Sequence, residues 1–291
     1  MDADKLERLR DKVIFISGSS KNAGKTTFLN YLLPRLRSGE DLAYLTIGID
    51  GEKKDRVFGN EKPSIEAVKG DYLVTSEDMM NNSQALFKIC HVFPWFTALG
   101  RLMLLKTERS GLIELVGPES NSQLEDIIGY LKDTAGIKTV LVDGAVNRIT
   151  QLSAGRESAY FYVMKMTPEN RTSSLNTIRT LNLLDKIPCY DNPGNNDIEF
   201  NGALTSSVLD SIAEDADTLV LEDFTKVFLT WRELRELTER ISLKFRHIFK
   251  LEGLILNLSN LEQAGVETLL RDIPVTVPYY FNPYRISRSG M

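Results

Sequence analysis

Gly18, Gly24, Lys25 and Thr26 stand in the spacing G-x-x-x-x-G-K-[ST], inside the stretch Ile16-Ser17-Gly18-Ser19-Ser20-Lys21-Asn22-Ala23-Gly24-Lys25-Thr26-Thr27. Glycines at those two places let backbone N–H groups turn inward and approach phosphate oxygens. A lysine there reaches the β- and γ-phosphates of a nucleotide, and the hydroxyl after it suits Mg²⁺. The spacing carries this meaning only between a strand and a helix. Both flanks comply: Val13-Ile14-Phe15-Ile16 reads as a buried strand, and Phe28, Leu29, Leu32, Leu33 and Leu36 recur at helical spacing. The start of that helix adds N–H groups of its own to an anion site. The expected phosphate-binding set is therefore Gly18, Ser19, Lys21, Asn22, Ala23, Gly24, Lys25, Thr26 and Thr27. The bland alternative, a chance glycine turn, has to explain four fixed positions and two flanks at once.

Two carboxylates follow apolar runs downstream. Leu42 to Ile49 ends in Asp50-Gly51, and Thr139-Val140-Leu141-Val142 ends in Asp143-Gly144. The C-terminal edge of a parallel sheet is the ligand side of such a fold. Asp143 is expected to hold Mg²⁺ with Thr26, directly or through water. Asp50, with Lys25, is the expected catalytic group, touching Mg²⁺ or orienting the attacking group. An Asp-Gly turn is the competing reading at both places. Arg148, on the same rim, either meets an anion or is solvated.

Composition narrows the class. The chain has 291 residues, 42% hydrophobic and 26% charged, which suits an ordinary globular protein of one large domain or two small ones. Its net charge of -5 offers no broad basic field for nucleic acid. Cys90 and Cys189 lack partners at metal spacing, so neither a disulfide framework nor a zinc site is expected. Cys90 and His91 are adjacent, and in a strand adjacent residues face opposite sides, so they are expected to pack rather than pair. The polar start, Met1-Asp2-Ala3-Asp4-Lys5, has no signal-peptide core, and no apolar run is long enough to span a bilayer. A cytoplasmic protein is expected.

The elements alternate. After a charged leader over 1–11, strand, loop and helix reach about residue 37, with Pro34 kinking or ending the helix. Residues 58–70 read as loop, Tyr72 to Thr75 as strand, and Ala85 to Phe93 as an extended run broken by Pro94-Trp95-Phe96. Leu99–Thr107 and Gly111–Val116, around Glu108-Arg109-Ser110-Gly111, predict a hairpin with a glycine turn. Trp95 and Phe96 are expected in the core. Ser120 to Thr134 reads as a helix with Leu124, Ile127, Ile128 and Leu131 on one face.

Further on, Tyr160 to Met166 is strand-like, and Thr167-Pro168 is expected to cap and open a helix. Tyr190 to Ile198 is a dense turn cluster, either a loop over the site or a surface excursion. Leu204–Ile212 and Thr218–Leu221 predict helix then strand. Thr230-x-x-Glu233 spells a capping box. Leu254–Asn257, Val266–Leu270 and Val275–Tyr279 give strand, helix and a last strand. The whole reads as a single α/β domain, a mostly parallel sheet flanked by helices with an antiparallel hairpin inserted.

The loop Gly18–Thr27, with Asp50 after the second strand and Val142-Asp143-Gly144 later, resembles the P-loop NTPase class that contains dethiobiotin synthetase and the MinD/ParA-type ATPases. The resemblance covers roughly residues 12–150. That class places a signature lysine directly after the first glycine; Ser19 stands here, and Lys21 comes two places later. A narrower likeness is carried by Ile47-Gly48-Ile49-Asp50-Gly51-Glu52, Lys62-Pro63-Ser64-Ile65 and Val140 to Arg148. These are similar to clostridial-type proteins linked to amino-acid fermentation, ATP-using reactivases of a cobalamin-dependent lysine aminomutase. What this likeness implies is a cytoplasmic, chaperone-like, slow ATPase that exchanges damaged cofactor on a partner enzyme.

Three functions compete on this evidence. An accessory ATPase would couple hydrolysis to a protein partner's conformation. A dethiobiotin-synthetase-like ligase or kinase would spend the γ-phosphate on a small molecule. A binding module would keep the nucleotide without hydrolysing it. No Asn-Lys-x-Asp guanine motif is present, so ATP is the expected nucleotide. A homodimer is compatible with this class; nucleic-acid and membrane partners are not expected.

Overall fold

The computed structural model describes residues 1, 3–37, 41–47, 64–144, 158–192, 194, 196–210, 212 and 216–282. They form two compact units, Met1–Val163 with Asn282–Met291, and Met164–Phe281.

The first unit opens with the short helix α1 (Ala3–Glu7), then β1 (Val13–Gly18), α2 (Lys25–Leu36) and β2 (Leu42–Thr46). β3 (Ile65–Ala67), β4 (Tyr72–Ser76) and α3 (Glu77–Asn81) follow, then β5 (Leu86–Thr97), β6 (Gly100–Arg109) and β7 (Gly111–Ile113). Helix α4 (Asn121–Gly129) continues as a π-helical turn, Tyr130–Thr134, before β8 (Thr139–Asp143) and β9 (Ser158–Met166). β9 runs across the boundary between the units.

Its strands lie in the order β9-β1-β8-β2-β4-β6-β5. β9, β1, β8, β2 and β4 are mutually parallel, and β6 and β5 are antiparallel additions. The central strands are covered on both faces, which is why β1, β2 and β8 read as continuous apolar runs rather than alternating ones. The expected α/β class, a mostly parallel sheet with helices packed on it, is present. On α2, Phe28, Leu29, Leu32, Leu33 and Leu36 are all buried, and Phe28 meets Phe161 of β9 edge-on at 5.0 Å. Pro34 sits in the last turn of α2, which ends two residues later.

The antiparallel hairpin lies one element earlier than the spacing predicts. β5 pairs with β6 through a tight turn, Thr97 opposite Gly100, and Gly100 has φ 93°. β7 instead pairs with β3, so part of the expected 58–70 loop is a strand. Pro94 does not break β5. It lies where the register slips between Val92 and Phe96, and an outer strand tolerates a residue without an N–H. Phe96 is accordingly exposed rather than in the core, and Trp95 is half-buried against Phe93. His91 packs as expected, its imidazole stacked on Tyr130 at 4.0 Å, whereas Cys90 is exposed rather than packed.

The second unit continues with α5 (Arg171–Leu184), β10 (Asp197–Phe200), β11 (Leu204–Thr205), α6 (Ser206–Leu209) and β12 (Thr218–Leu221). A 3₁₀ turn at Phe224–Lys226, β13 (Val227–Phe228), α7 (Trp231–Arg240), β14 (Ser242–Phe245), β15 (Lys250–Leu258), α8 (Gln263–Arg271) and β16 (Tyr279–Phe281) complete it. β10, β12 and β14 make a parallel sheet, β11 pairs with β13, and β15 pairs with β16.

α5 starts later than Thr167-Pro168 predicts. Asn170 accepts from the Thr167 N–H at 2.8 Å, closing a separate turn before the helix begins. The last strand is Tyr279–Phe281 rather than Val275–Tyr279, since the stretch before it is pinned otherwise: Asn182 accepts from the Thr276 N–H at 2.7 Å. Among the described residues of Leu204–Ile212 only Ser206–Leu209 is helical. The Tyr190–Ile198 cluster closes on Asp197, which accepts from Tyr190 Oη at 3.0 Å and Gly194 N at 2.6 Å.

Candidate functional site

The loop between β1 and α2 owes its shape to three backbone demands. At Gly18 a Cβ would lie 2.9 Å from the Val163 carbonyl and 3.0 Å from Lys25 Cγ, so any larger residue would force apart β9, loop and helix. Asn22 and Gly24 both take left-handed φ, 62° and 102°, and turn the chain back into α2. Ser19 N donates to Val163 O at 3.0 Å, anchoring the start of the loop to β9. Ala23 is buried beneath it, while Ser19, Ser20, Lys21 and Asn22 are exposed.

Gly24 is the N-cap of α2 and has no side chain to cap it. The first N–H groups of a twelve-residue helix are therefore left to an external acceptor, an arrangement that favours anions. Lys25 is half-buried, and its Nζ donates to Ser20 O at 3.0 Å, so the cation is held over the loop. Thr27 is half-buried in the same first turn.

Thr26 and Asp143 meet. Thr26 Oγ1 donates to Asp143 Oδ2 at 2.7 Å across 117 residues of sequence. Parallel pairing of β1 with β8 sets Ile16 beside Asp143, which brings the end of β8 to the root of the loop. The backbone fixes that carboxylate further. Thr46 Oγ1 and Ile47 N, at the end of β2, both donate to the Asp143 carbonyl at 2.9 Å. Gly144 N donates to Ile16 O at 3.1 Å, and Gly144 has φ 150° with Ile47 Cβ only 2.9 Å from where its own Cβ would stand. Gly144 bends the chain at the end of β8, and the Asp143 side chain is bonded to the helix.

Two contributors escaped the sequence reading. Thr46 holds the β8 end in place, and Gly117 leaves room for it: a Cβ at Gly117 would lie 1.6 Å from the Thr46 carbonyl. The Gly117-Pro118 dipeptide, a turn signal, is the trace of this close approach in the sequence. Asp50 and Arg148 lie outside the described residues.

A threonine hydroxyl and one carboxylate are hard oxygen donors, the set Mg²⁺ accepts when phosphate and water complete its octahedron. Among the described residues no three His, Cys, Asp or Glu side chains gather to hold a metal by themselves. At the opposite end of β2, Arg37, Asp41, Leu42, Val68, Lys69, Gly70 and Asp71 line an open groove. Of its two acids Asp71 is already occupied: it accepts from Arg37 Nη2 at 2.8 Å, from Val68 N at 3.0 Å and from Tyr44 Oη at 3.2 Å. Burial, then the Asp71 charge, pushes the Tyr44 phenol well above its ordinary pKa, so it remains a donor. That network binds strand to helix.

Compared with protein-family models, with curated proteins and with solved structures, the chain finds no match. Among the described residues no helix is long and apolar enough to cross a membrane.

Proposed function

We propose that this chain is a cytoplasmic P-loop nucleotide-binding protein that takes up Mg²⁺-ATP at Gly18–Thr27 and hydrolyses it slowly to act on a partner protein. The observation that carries the reading is the 2.7 Å bond between Thr26 Oγ1 and Asp143 Oδ2. A strand-end acid joined to the hydroxyl that follows the loop lysine is the pair expected to ligate Mg²⁺ beside bound phosphate. In this reading the N–H groups from Gly18 to Thr27 cradle phosphate oxygens, Lys25 neutralises the β- and γ-phosphates, and Thr26 and Asp143 hold the metal. The metal supplies charge neutralisation. The likeness to the dethiobiotin synthetase and MinD-type class, and more narrowly to aminomutase reactivases, supports ATP as nucleotide and a protein as the object of hydrolysis.

Calorimetric titration of the purified chain tests this directly. Mg²⁺-ATP is expected to bind more tightly than Mg²⁺-GTP. Lys25→Ala is expected to lose a charged hydrogen bond worth about 1.5–3 kcal/mol, roughly ten- to a hundredfold in affinity. Asp143→Asn is expected to weaken binding only when Mg²⁺ is present. A folded Lys25→Ala protein that binds ATP like the parent would sink the assignment, and turnover of a small acceptor without any partner would redirect it to a ligase or kinase.

A further inference from the structure

Among the described residues β5 is the outer strand of its sheet, and four of the chain's large exposed apolar side chains, Leu86, Ile89, Val92 and Phe96, sit on it. The register explains how they line up. Ile89 opposes Leu105, Val92 opposes Met103 and Phe96 opposes Arg101, with Cys90 bulged out between Ile89 and His91. Residues directly opposite share a face, and alternate residues of β6 share one too. Ile89, Val92, Phe96 and Arg101 therefore form a single stripe, with the Arg101 guanidinium 4.6 Å above the Phe96 ring. The bulge is what keeps Ile89 and Val92 on the same side.

The other face bears charge. Lys88 lies directly opposite Lys106, an unfavourable cross-strand pair of like charges; Lys106 turns its Nζ inward to Tyr72 Oη at 2.9 Å, so Lys88 is the cation of the pair at the edge. From Leu86 to Arg109 the cations Lys88, Arg101, Lys106 and Arg109 face one acid, Glu108, giving net +3 in a chain of net -5. A second copy joined strand to strand would set these cations against their own counterparts. Pro94 has no N–H and closes the usable edge on its C-terminal side, leaving Leu86–Val92 for pairing.

We propose that the outer edge of β5 receives an extended segment of a partner protein in which apolar and acidic residues alternate. Strand period two places the partner's apolar side chains over Ile89 and Val92 and its carboxylates beside Lys88. The proposal rests on the reading that the chain acts on a partner protein, and it names the surface used.

Fluorescence polarisation with the full chain tests it, using blocked, labelled peptides of about nine residues, one alternating Glu with Val and the other Lys with Val. The Glu–Val peptide is expected to bind at least about tenfold more tightly than the Lys–Val peptide. That preference should fade as NaCl rises from about 0.05 M to about 0.5 M. Lys88→Glu and Ile89→Glu, both exposed positions, should each weaken Glu–Val binding about tenfold or more, with the melting curve and Mg²⁺-ATP affinity unchanged. Equal binding of the two peptides, or indifference to both substitutions, overturns the proposal. So does a dimer that Ile89→Glu dissolves, because the edge would then belong to a second copy. Lys25→Ala should bind ATP roughly ten- to a hundredfold more weakly and keep the peptide. Peptide selection without ATP binding would defeat the nucleotide reading alone, and ATP binding without peptide selection would defeat this one alone.

Discussion

At the scale of single residues, two buried carboxylates show how surroundings decide what an aspartate does. Asp143 is 5% exposed and accepts a hydroxyl at 2.7 Å from another element, the pair on which the proposed Mg²⁺ site rests. Asp223 is fully buried, and its Oδ1 accepts from Thr225 N at 2.7 Å and Thr225 Oγ1 at 2.6 Å, holding a local turn. Among the described residues its Oδ2 has no hydrogen-bond partner. Burial pushes the Asp223 carboxyl above its ordinary pKa, outweighing the lowering by the Thr225 bonds. The folded state therefore holds a proton that the unfolded chain has released, and stability falls as pH rises from the ordinary carboxylate range through the raised value. Asp223→Asn keeps the Oδ1 acceptor and carries no charge. Urea denaturation across pH 4–7 is expected to show the variant gaining on the parent as pH rises; a constant difference would contradict this.

At the scale of elements, caps and edges mattered more than propensity. Thr230 and Glu233 open α7 with both arms of a capping box: Glu233 Oε2 accepts from Thr230 N at 2.8 Å, and Thr230 Oγ1 accepts from Glu233 N at 3.4 Å. Leu234 and Leu237 bury the apolar face behind it. Thr230→Ala removes one arm and is expected to cost about 1 kcal/mol, read as a shifted denaturation midpoint with unchanged slope. Thr167 and Asn170 carry similar side chains but close a turn on each other, so α5 begins only at Arg171. The hairpin lies one element before its sequence signal for a related reason. The Ser110-Gly111 signal is no reversal: β7 pairs with β3 in the same antiparallel register that β6 keeps with β4, and the two residues Ala98 and Leu99 turn β5 into β6.

At the scale of the whole molecule, a ligand that binds only the folded state stabilises it by mass action. Mg²⁺-ATP at about a hundred times its Kd is expected to add about 2.7 kcal/mol. That corresponds to a rise in melting temperature of about 5–11 °C for a unit of this size, and Lys25→Ala should cut the stabilisation to about 0.4–1.4 kcal/mol at the same concentration. A scan in which parent and variant respond alike would place the bound nucleotide elsewhere or nowhere.

What the amino-acid order determined by itself was local and periodic. The apolar runs of β1, β2, β8, β12 and β15, the helical stripes of α2, α4, α7 and α8, and the loop from Gly18 to Thr27 were all legible, because burial and left-handed turns restrict residue type at each position. Asp143 was legible as a strand-end acid. Its bond to Thr26 was not: it depends on β8 taking the place beside β1, a choice made by packing between segments more than a hundred residues apart. The exposure of Phe96, the β3–β7 pair and the 1.6 Å approach behind Gly117 belong to the same class. Each depends on which segment lies alongside, and a residue's neighbours in space are fixed by the sum of all burials in the fold, not by its neighbours in the chain.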